Sequence, residues 1–106
     1  MFLVITFVMI LVIMQMKVPA EKRNELFQAI TSLLSPIRTA EGCLRCDFFH
    51  SMEDDQILCL LAEWDSRKNL EKNRNSEWFS VMRGALHPLE EPCEIISCRR
   101  LPLAGT

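Results

Sequence analysis

The sequence carries no excess of basic residues. Twelve Lys and Arg stand against fourteen Asp and Glu, a formal net charge of −2. That removes the electrostatic footprint expected of a nucleic-acid-binding surface. The basic residues are also scattered, adjacent only at Lys22-Arg23, Arg67-Lys68 and Arg99-Arg100. Tyrosine is absent, so no phenol of this chain can carry a proton. A regular cysteine framework is lacking too. The five cysteines, Cys43, Cys46, Cys59, Cys93 and Cys98, are odd in number and irregularly spaced, which argues against a secreted disulfide scaffold. They read as reduced thiols of a cytoplasmic protein. Cys43 and Cys46 form a lone C-x-x-C inside an expected strand, where residues three apart point to opposite faces. On that geometry the pair suits neither a zinc knuckle nor a redox turn.

The apolar run at the start is too short to cross a bilayer. Met1 to Met14 contains one polar residue, Thr6, and as a helix would span roughly 21 Å against a hydrocarbon core of about 30 Å. No basic segment opens the run, and no small-residue cleavage site precedes Lys17. Its β-branched and aromatic residues favour a strand. We read Met1 to Val8 as an apolar extension ahead of a natural start at Met9, with no membrane role. Repeats, linkers and low-complexity segments are absent, and 106 residues make one domain, residues 9–106.

Within that domain, Met9 to Val18 reads as a strand apolar on both faces, with Ile10, Val12, Met14 and Met16 alternating against Leu11 and Ile13. A strand of that kind is expected to be buried on both faces. Pro19 opens a helix at the position where its missing N–H is harmless. Leu26, Ile30, Leu33, Leu34 and Ile37 repeat at helical spacing, and Pro36 is expected to end or kink the helix. Gly42 suits a turn. Cys43 to Met52 is a second strand, carrying Arg45, Asp47 and His50. A polar turn, Glu53-Asp54-Asp55, joins it to a third strand, Gln56 to Asp65, as an antiparallel hairpin. Asp65 or Ser66 caps a short polar helix, Arg67 to Arg74, and Ser76 caps the next. The stripe of that last helix is Trp78, Val81, Met82, Ala85, Leu86 and Leu89, with Pro88 and Pro92 closing the region. Cys93 to Leu101 is the final strand.

The order β-α-β-β-α-β is the split βαβ arrangement, a ferredoxin-like α+β fold. In it the first and third strands are central and the second and fourth are edges. The sequence agrees, since the strands with two apolar faces are the first and third, and the charged ones are the second and fourth. Helices on one face of the sheet leave the other open. A patch of that size calls for cover, most simply by a two-fold homodimer.

The ordered set of local features resembles the antibiotic biosynthesis monooxygenase family. It comprises Lys17-Val18-Pro19-Ala20-Glu21-Lys22 after the first strand, Glu41-Gly42-Cys43 before the second, Glu63-Trp64-Asp65-Ser66 before a Leu70-centred short helix, and Ser76-x-x-Phe79 at the next helix. The resemblance runs from about Met9 to Leu101. It implies a dimeric α+β barrel, and an oxygenase that uses neither metal nor flavin on quinols or aromatic polyketides able to react with oxygen themselves. Three departures stand out. Asn73 occupies the short-helix position where members often carry His, Ala62 replaces an acidic residue two before the Trp, and no Tyr is available. The haem-degrading branch uses Asn, Trp and His in its pocket. Here Asn73 stands at the Trp position and Arg83 in the expected His region, so haem degradation is not implied.

A pocket in this architecture lies between sheet and helices. Trp64 can stack on an aromatic substrate, or can serve as core. Asn73 can hold a carbonyl or hydroxyl, or can sit on a helix-end surface. Arg83 can stabilise an enolate or phenolate anion, or can be a solvated helix residue. His50 and His87 alone titrate near neutrality and are general-base candidates, with an edge-strand surface and a helix end as their plain alternatives. Trp78 and Phe79 can line the pocket or pack the core. Neither His has an acidic pair at ligand spacing, so there is no metal motif. Three functions follow. The first is a cofactor-independent monooxygenase on a small quinol or polyketide-like aromatic. The second is an isomerase or related enzyme on a small keto or phosphorylated metabolite. The third is a non-catalytic dimeric ligand-binding module.

Overall fold

The computed structural model describes residues 9–87, 89 and 94–99. Met1 to Val8, Pro88, Pro92, Cys93 and Leu101 lie outside the described residues. Strands β1 (Ile10–Lys17), β2 (Cys43–His50), β3 (Ile57–Trp64) and β4 (Glu94–Arg99) form one sheet, with helices α1 (Arg23–Arg38), α2 (Arg67–Arg74) and α3 (Glu77–Leu86) between them. The strand order is β2-β3-β1-β4, and every pairing is antiparallel. The two strands rich in apolar residues are central and the two charged strands are edges, as the sequence pattern requires. The chain is an α+β, ferredoxin-like domain.

One face of the sheet is the core. Ile10, Val12, Met14 and Met16 of β1 and Leu58, Leu60, Ala62 and Trp64 of β3 are all buried, and Leu26, Ile30, Leu33 and Ile37 of α1 with Met82 of α3 pack on them. Each such aliphatic side chain contributes about 1.5–3 kcal/mol by leaving water. The other face is not buried within one chain. Leu11, Ile13, Ile57 and Leu61 remain half-buried, while Phe49 is 44% and Ile96 49% exposed. The expectation that β1 is covered on both faces therefore fails for a single chain, because the helices reach one side only.

Local departures have physical causes. Pro19 does not start α1; it leads a 3₁₀ turn at Ala20–Lys22, and the α-helix begins at Arg23. Pro36 does not end it, since α1 continues to Arg38. Tertiary contacts outweigh the hydrogen bond proline forfeits. Ile37 is buried, and Arg38 Nε donates to the Cys46 carbonyl at 2.7 Å, tying the last turn to β2. Thr39 then closes the end through its N–H and hydroxyl to Ser35 O, at 3.0 and 2.9 Å.

The C-x-x-C does not behave as a regular strand. Cys43 pairs with Trp64 and Arg45 with Glu63, so a bulge accommodates Leu44 as an extra residue. Beyond the bulge, Cys46 pairs with Ala62. Trp64 and Ala62 are on the core face, so both cysteines are as well. The opposite-face reading is wrong because a one-residue insertion reverses the alternation. Burial pushes the Cys46 thiol up to about 12, and burial also raises Cys43. Both are thiols at neutral pH.

Gly42 stands where the backbone leaves no room for a side chain. Its φ is +87°, and a Cβ placed there would lie 2.5 Å from Cβ and Nδ2 of Asn69. Gly84, on α3, would place a Cβ in open space. We expect Gly42→Ala to lose about 2–4 kcal/mol of stability through strain and overlap, and Gly84→Ala to gain about 0.5–1 kcal/mol. Urea unfolding midpoints of the two variants against the parent chain test both signs.

Candidate active site

Helix α2 is short and polar, and what fixes it decides the shape of the site. Ser66 caps it by accepting from Asn69 N–H at 3.2 Å. Asn69 Nδ2 donates back to Asp65 Oδ1 at 2.8 Å, and Asp65 N–H donates to Gly42 O at 2.8 Å. Lys72 Nζ donates to Glu41 Oε2 at 2.8 Å; that hydrogen bond and charge hold the Glu41 carboxyl below its usual range. The pair is exposed on both sides and so adds little stability. The structural tie is Asn73, the one buried polar residue among those described. Its Nδ2 donates to Asn69 O at 2.8 Å and to Glu41 O at 3.4 Å, and its Oδ1 accepts from Trp78 Nε1 at 3.4 Å. Both amide hydrogens are engaged. Asn73 is thus neither a surface residue nor a free donor for a ligand; it positions Trp78.

Trp78 is the first aromatic of α3, whose start is capped by Ser76 accepting from Phe79 N–H at 3.4 Å. Its ring runs parallel to that of Trp64, with 6.4 Å between centroids and 5° between planes, which is an offset stack. Trp64 is 1% exposed, so it belongs to the core and backs the site at once. Phe79 meets Trp78 edge-on at 5.7 Å. Arg83, one turn later, places its guanidinium 5.0 Å above the Phe79 ring, a cation–π contact.

These residues surround a cavity of about 560 Å³ between the sheet and the helices, within the range of small-molecule sites. Its floor is the core face of β1 and β3, with Val12, Met14, Leu60, Ala62 and Trp64. Leu70, Asn73 and Arg74 of α2 form one wall, and Trp78, Phe79 and Arg83 of α3 another. Ile95 and Ser97 of β4 close the edge. The ionisable groups among these lining residues are Arg74 and Arg83, both cationic. The cavity can hold a flat apolar molecule and stabilise negative charge on it, but its lining offers no carboxylate or imidazole as base.

The structure brings Trp64, Asn73, Trp78, Phe79 and Arg83 together. It does not bring the histidines. His50 pairs with Leu58, six residues along β3 from Trp64, which is roughly 20 Å at strand rise. It is exposed, and its Nε2 donates to the Asp55 carbonyl in the hairpin turn. His87 caps the end of α3, exposed, one turn beyond Arg83 and outside the cavity lining. Its backbone is still helical, although the following proline disfavours that. Sequence reasoning missed Arg74, Asn75 and Ser97. For Arg74 the signal was present, since Leu70, Asn73 and Arg74 fall on one helical face. The described residues hold no group of three His, Cys, Asp or Glu able to bind a metal ion, and no described helix is long and apolar enough to cross a membrane.

Comparison with solved structures agrees with this architecture. A conserved protein from Methanosarcina mazei Go1 superposes with a TM-score of 0.85 at 26% identity, covering 90% of this chain and 95% of that one. The Rv0793 protein of Mycobacterium tuberculosis gives 0.83 at 22% identity, with coverage of 92% and 99%. A protein solved under the name antibiotic biosynthesis monooxygenase gives 0.80 at 19% identity, with coverage of 88% and 99%. At identities this low the last two speak for the fold alone. No curated protein matches the chain. The family described as antibiotic biosynthesis monooxygenase matches residues 9–85, most of the domain and nearly all the cavity-forming elements, and the chain belongs to that family.

Proposed function

We propose that the chain is a cofactor-independent monooxygenase acting on a small quinol or polyketide-like aromatic. The observation that carries this reading is the aromatic-walled cavity with Arg83 at its side. For a quinol ring C–H, the balanced reaction takes up O₂ and gives the hydroxyquinone and one water. All four electrons come from the substrate, so neither metal nor flavin enters the balance. The reactive form is the substrate's phenolate, which passes an electron to oxygen; carbon–oxygen bond formation and loss of water follow.

In this scheme the protein's work is to bind the ring flat against Trp78 and Phe79 and to favour the anion. A cation near a phenol lowers its pKa by about 1–3 units, and Arg83, exposed on α3 at the side of the cavity, is placed to do this. With no base in the described lining, the phenol proton leaves to solvent. Trp64 and Asn73 act as supports, the first by backing the stack and the second by holding Trp78. His50 and His87 have no part in the step, and their distance from the cavity weighs against an isomerase built on either. The cavity's volume, ample for an aromatic ring, favours a ligand over a purely structural role.

The same reading includes pairing. The open sheet face carries Leu11, Ile13, Phe49, Ile57, Leu61 and Ile96, bordered by Lys17, Arg45, Asp47, Glu63 and Glu94. An apolar centre with a polar rim is the composition of an interface, and a second copy in two-fold relation covers it most simply. Light scattering coupled to size exclusion at micromolar concentration should give twice the chain mass, and Ile13→Glu with Leu61→Glu, neighbours across β1 and β3, should give the single-chain mass. A monomeric parent chain overturns the pairing.

Oxygen uptake with a panel of hydroquinones and dihydroxynaphthalenes tests the reaction. Uptake above the uncatalysed rate, with one water's oxygen traced to ¹⁸O₂, is expected; no uptake across the panel rejects it. Arg83→Gln should lower kcat/KM about 10–100-fold at pH 7 and move the acid limb of the pH–rate profile upward by about one unit, as a lost phenolate partner requires. His50→Ala and His87→Ala should leave that limb in place.

A further inference from the structure

The main cavity continues into a smaller groove of about 200 Å³ that the reaction scheme does not use. Leu70, Arg74 and Ser97 line both. The groove adds Arg67 and Glu71 from α2 and Arg99 from β4. Three arginines therefore converge on one short channel in a chain whose net charge is −2. Their placement follows from the elements. Arg67, Glu71 and Arg74 recur at i, i+4 and i+7, one face of α2. Arg99 pairs with Ile10 and Ser97 with Val12, so both point to the helix side of the sheet, toward that face.

Among the described residues that charge is balanced only in part. Glu71 is the single carboxylate in the groove lining, and it lies 3.7 Å from Arg74. Arg67 and Arg99 have no ion pair among the described residues. Arg67 and Lys68 also open α2, whose first turn contains no acidic residue. Cations at that end oppose the helix dipole. A local rule broken without a compensating contact among the described residues points to a partner from outside.

We propose that cavity and groove are one composite site for an anionic aromatic. The ring lies in the Trp78–Phe79 cavity, and a carboxylate or phosphate ester on it reaches into the groove, where the guanidinium groups of Arg74, Arg67 and Arg99 take it as planar donors matched to such oxyanions. Arg74, on the shared wall, joins the two parts. This rests on the reading of the cavity as a substrate site and narrows its substrate to one bearing a permanent negative charge beside the reacting ring. Arg83, on the opposite wall, remains the partner of the phenolate.

Three probes of one ring size separate the terms: 2-naphthol, 3-hydroxy-2-naphthoate and 2-naphthyl phosphate, titrated against the intact chain by quenching of tryptophan fluorescence and by calorimetry. At least one anionic probe should bind tenfold or more tighter than 2-naphthol at low salt. Which anion gains more tells carboxylate from phosphate ester. The advantage should fall below threefold in 0.5 M NaCl and in an Arg67→Gln, Arg99→Gln variant, with Arg67→Lys intermediate. Equal affinities for all three probes in the parent chain overturn the proposal and leave the cavity reading standing. So does an anion preference that survives both salt and the double variant. If none of the three binds, cavity and groove readings fall together. The salt series on the parent chain decides the matter if the double variant does not fold.

Discussion

The close approach of α2 to the turn before β2 is the constraint on which the rest of the site depends. Gly42 takes a left-handed backbone and presents no side chain where Asn69 lies against it. Only then can Asp65 N–H reach Gly42 O and Asn73 Nδ2 reach Glu41 O. Those bonds hold a helix with hardly any apolar residue of its own. Of its eight residues, Leu70 alone is apolar. Without the turn, α2 would have little reason to stay against the sheet, and the cavity would lose a wall, its Arg74, and the acceptor that orients Trp78. Folding and site assembly therefore share the same few hydrogen bonds.

The sheet was legible because its signal is repeated. Apolar residues on both faces of β1 and of β3, charges on β2 and β4, and a polar three-residue turn all point to one strand order, and each supports the others. The errors fall where a single local cue was set against tertiary contacts. Pro36 is expected to end or kink α1, and the first alternative fails because buried Ile37 and the Arg38–Cys46 bond carry the helix past it. Regular alternation puts Cys43 and Cys46 on opposite faces, but the bulge at Leu44 brings them to the same one. A bulge leaves no mark in a window of residues, since it is a relation between two strands.

The site was legible in its aromatic part for a related reason. Trp64 closes a central strand, and Trp78 and Phe79 open a helix that must cross it, so the fold brings them together. Asn73 was found as a residue, and only its surface alternative fails, because a short polar helix looks solvated until its partner turn is known. The histidines were chosen for their pKa, a property of the residue type. Geometry then separates them, one at the hairpin turn and the other past the end of α3. Chemistry-bearing type alone carries no address.

Electrostatics gives the cavity a direction. The lining has cations on two walls and no anionic side chain, in a protein whose total charge is slightly negative. Exposed cations on two walls of a cavity in a negative molecule favour anions over cations there. They also decide where protons go. A phenol held there is more acidic than in water, and since no described lining residue can keep its proton, the proton must pass to solvent. In the proposed reaction the acid–base behaviour then belongs to the ligand, tuned by the arginines, and no titration of a described lining residue is needed to start it. That is consistent with a chain that has no Tyr and keeps its two His outside the cavity lining, and it makes the substrate's own acidity the quantity on which turnover would depend.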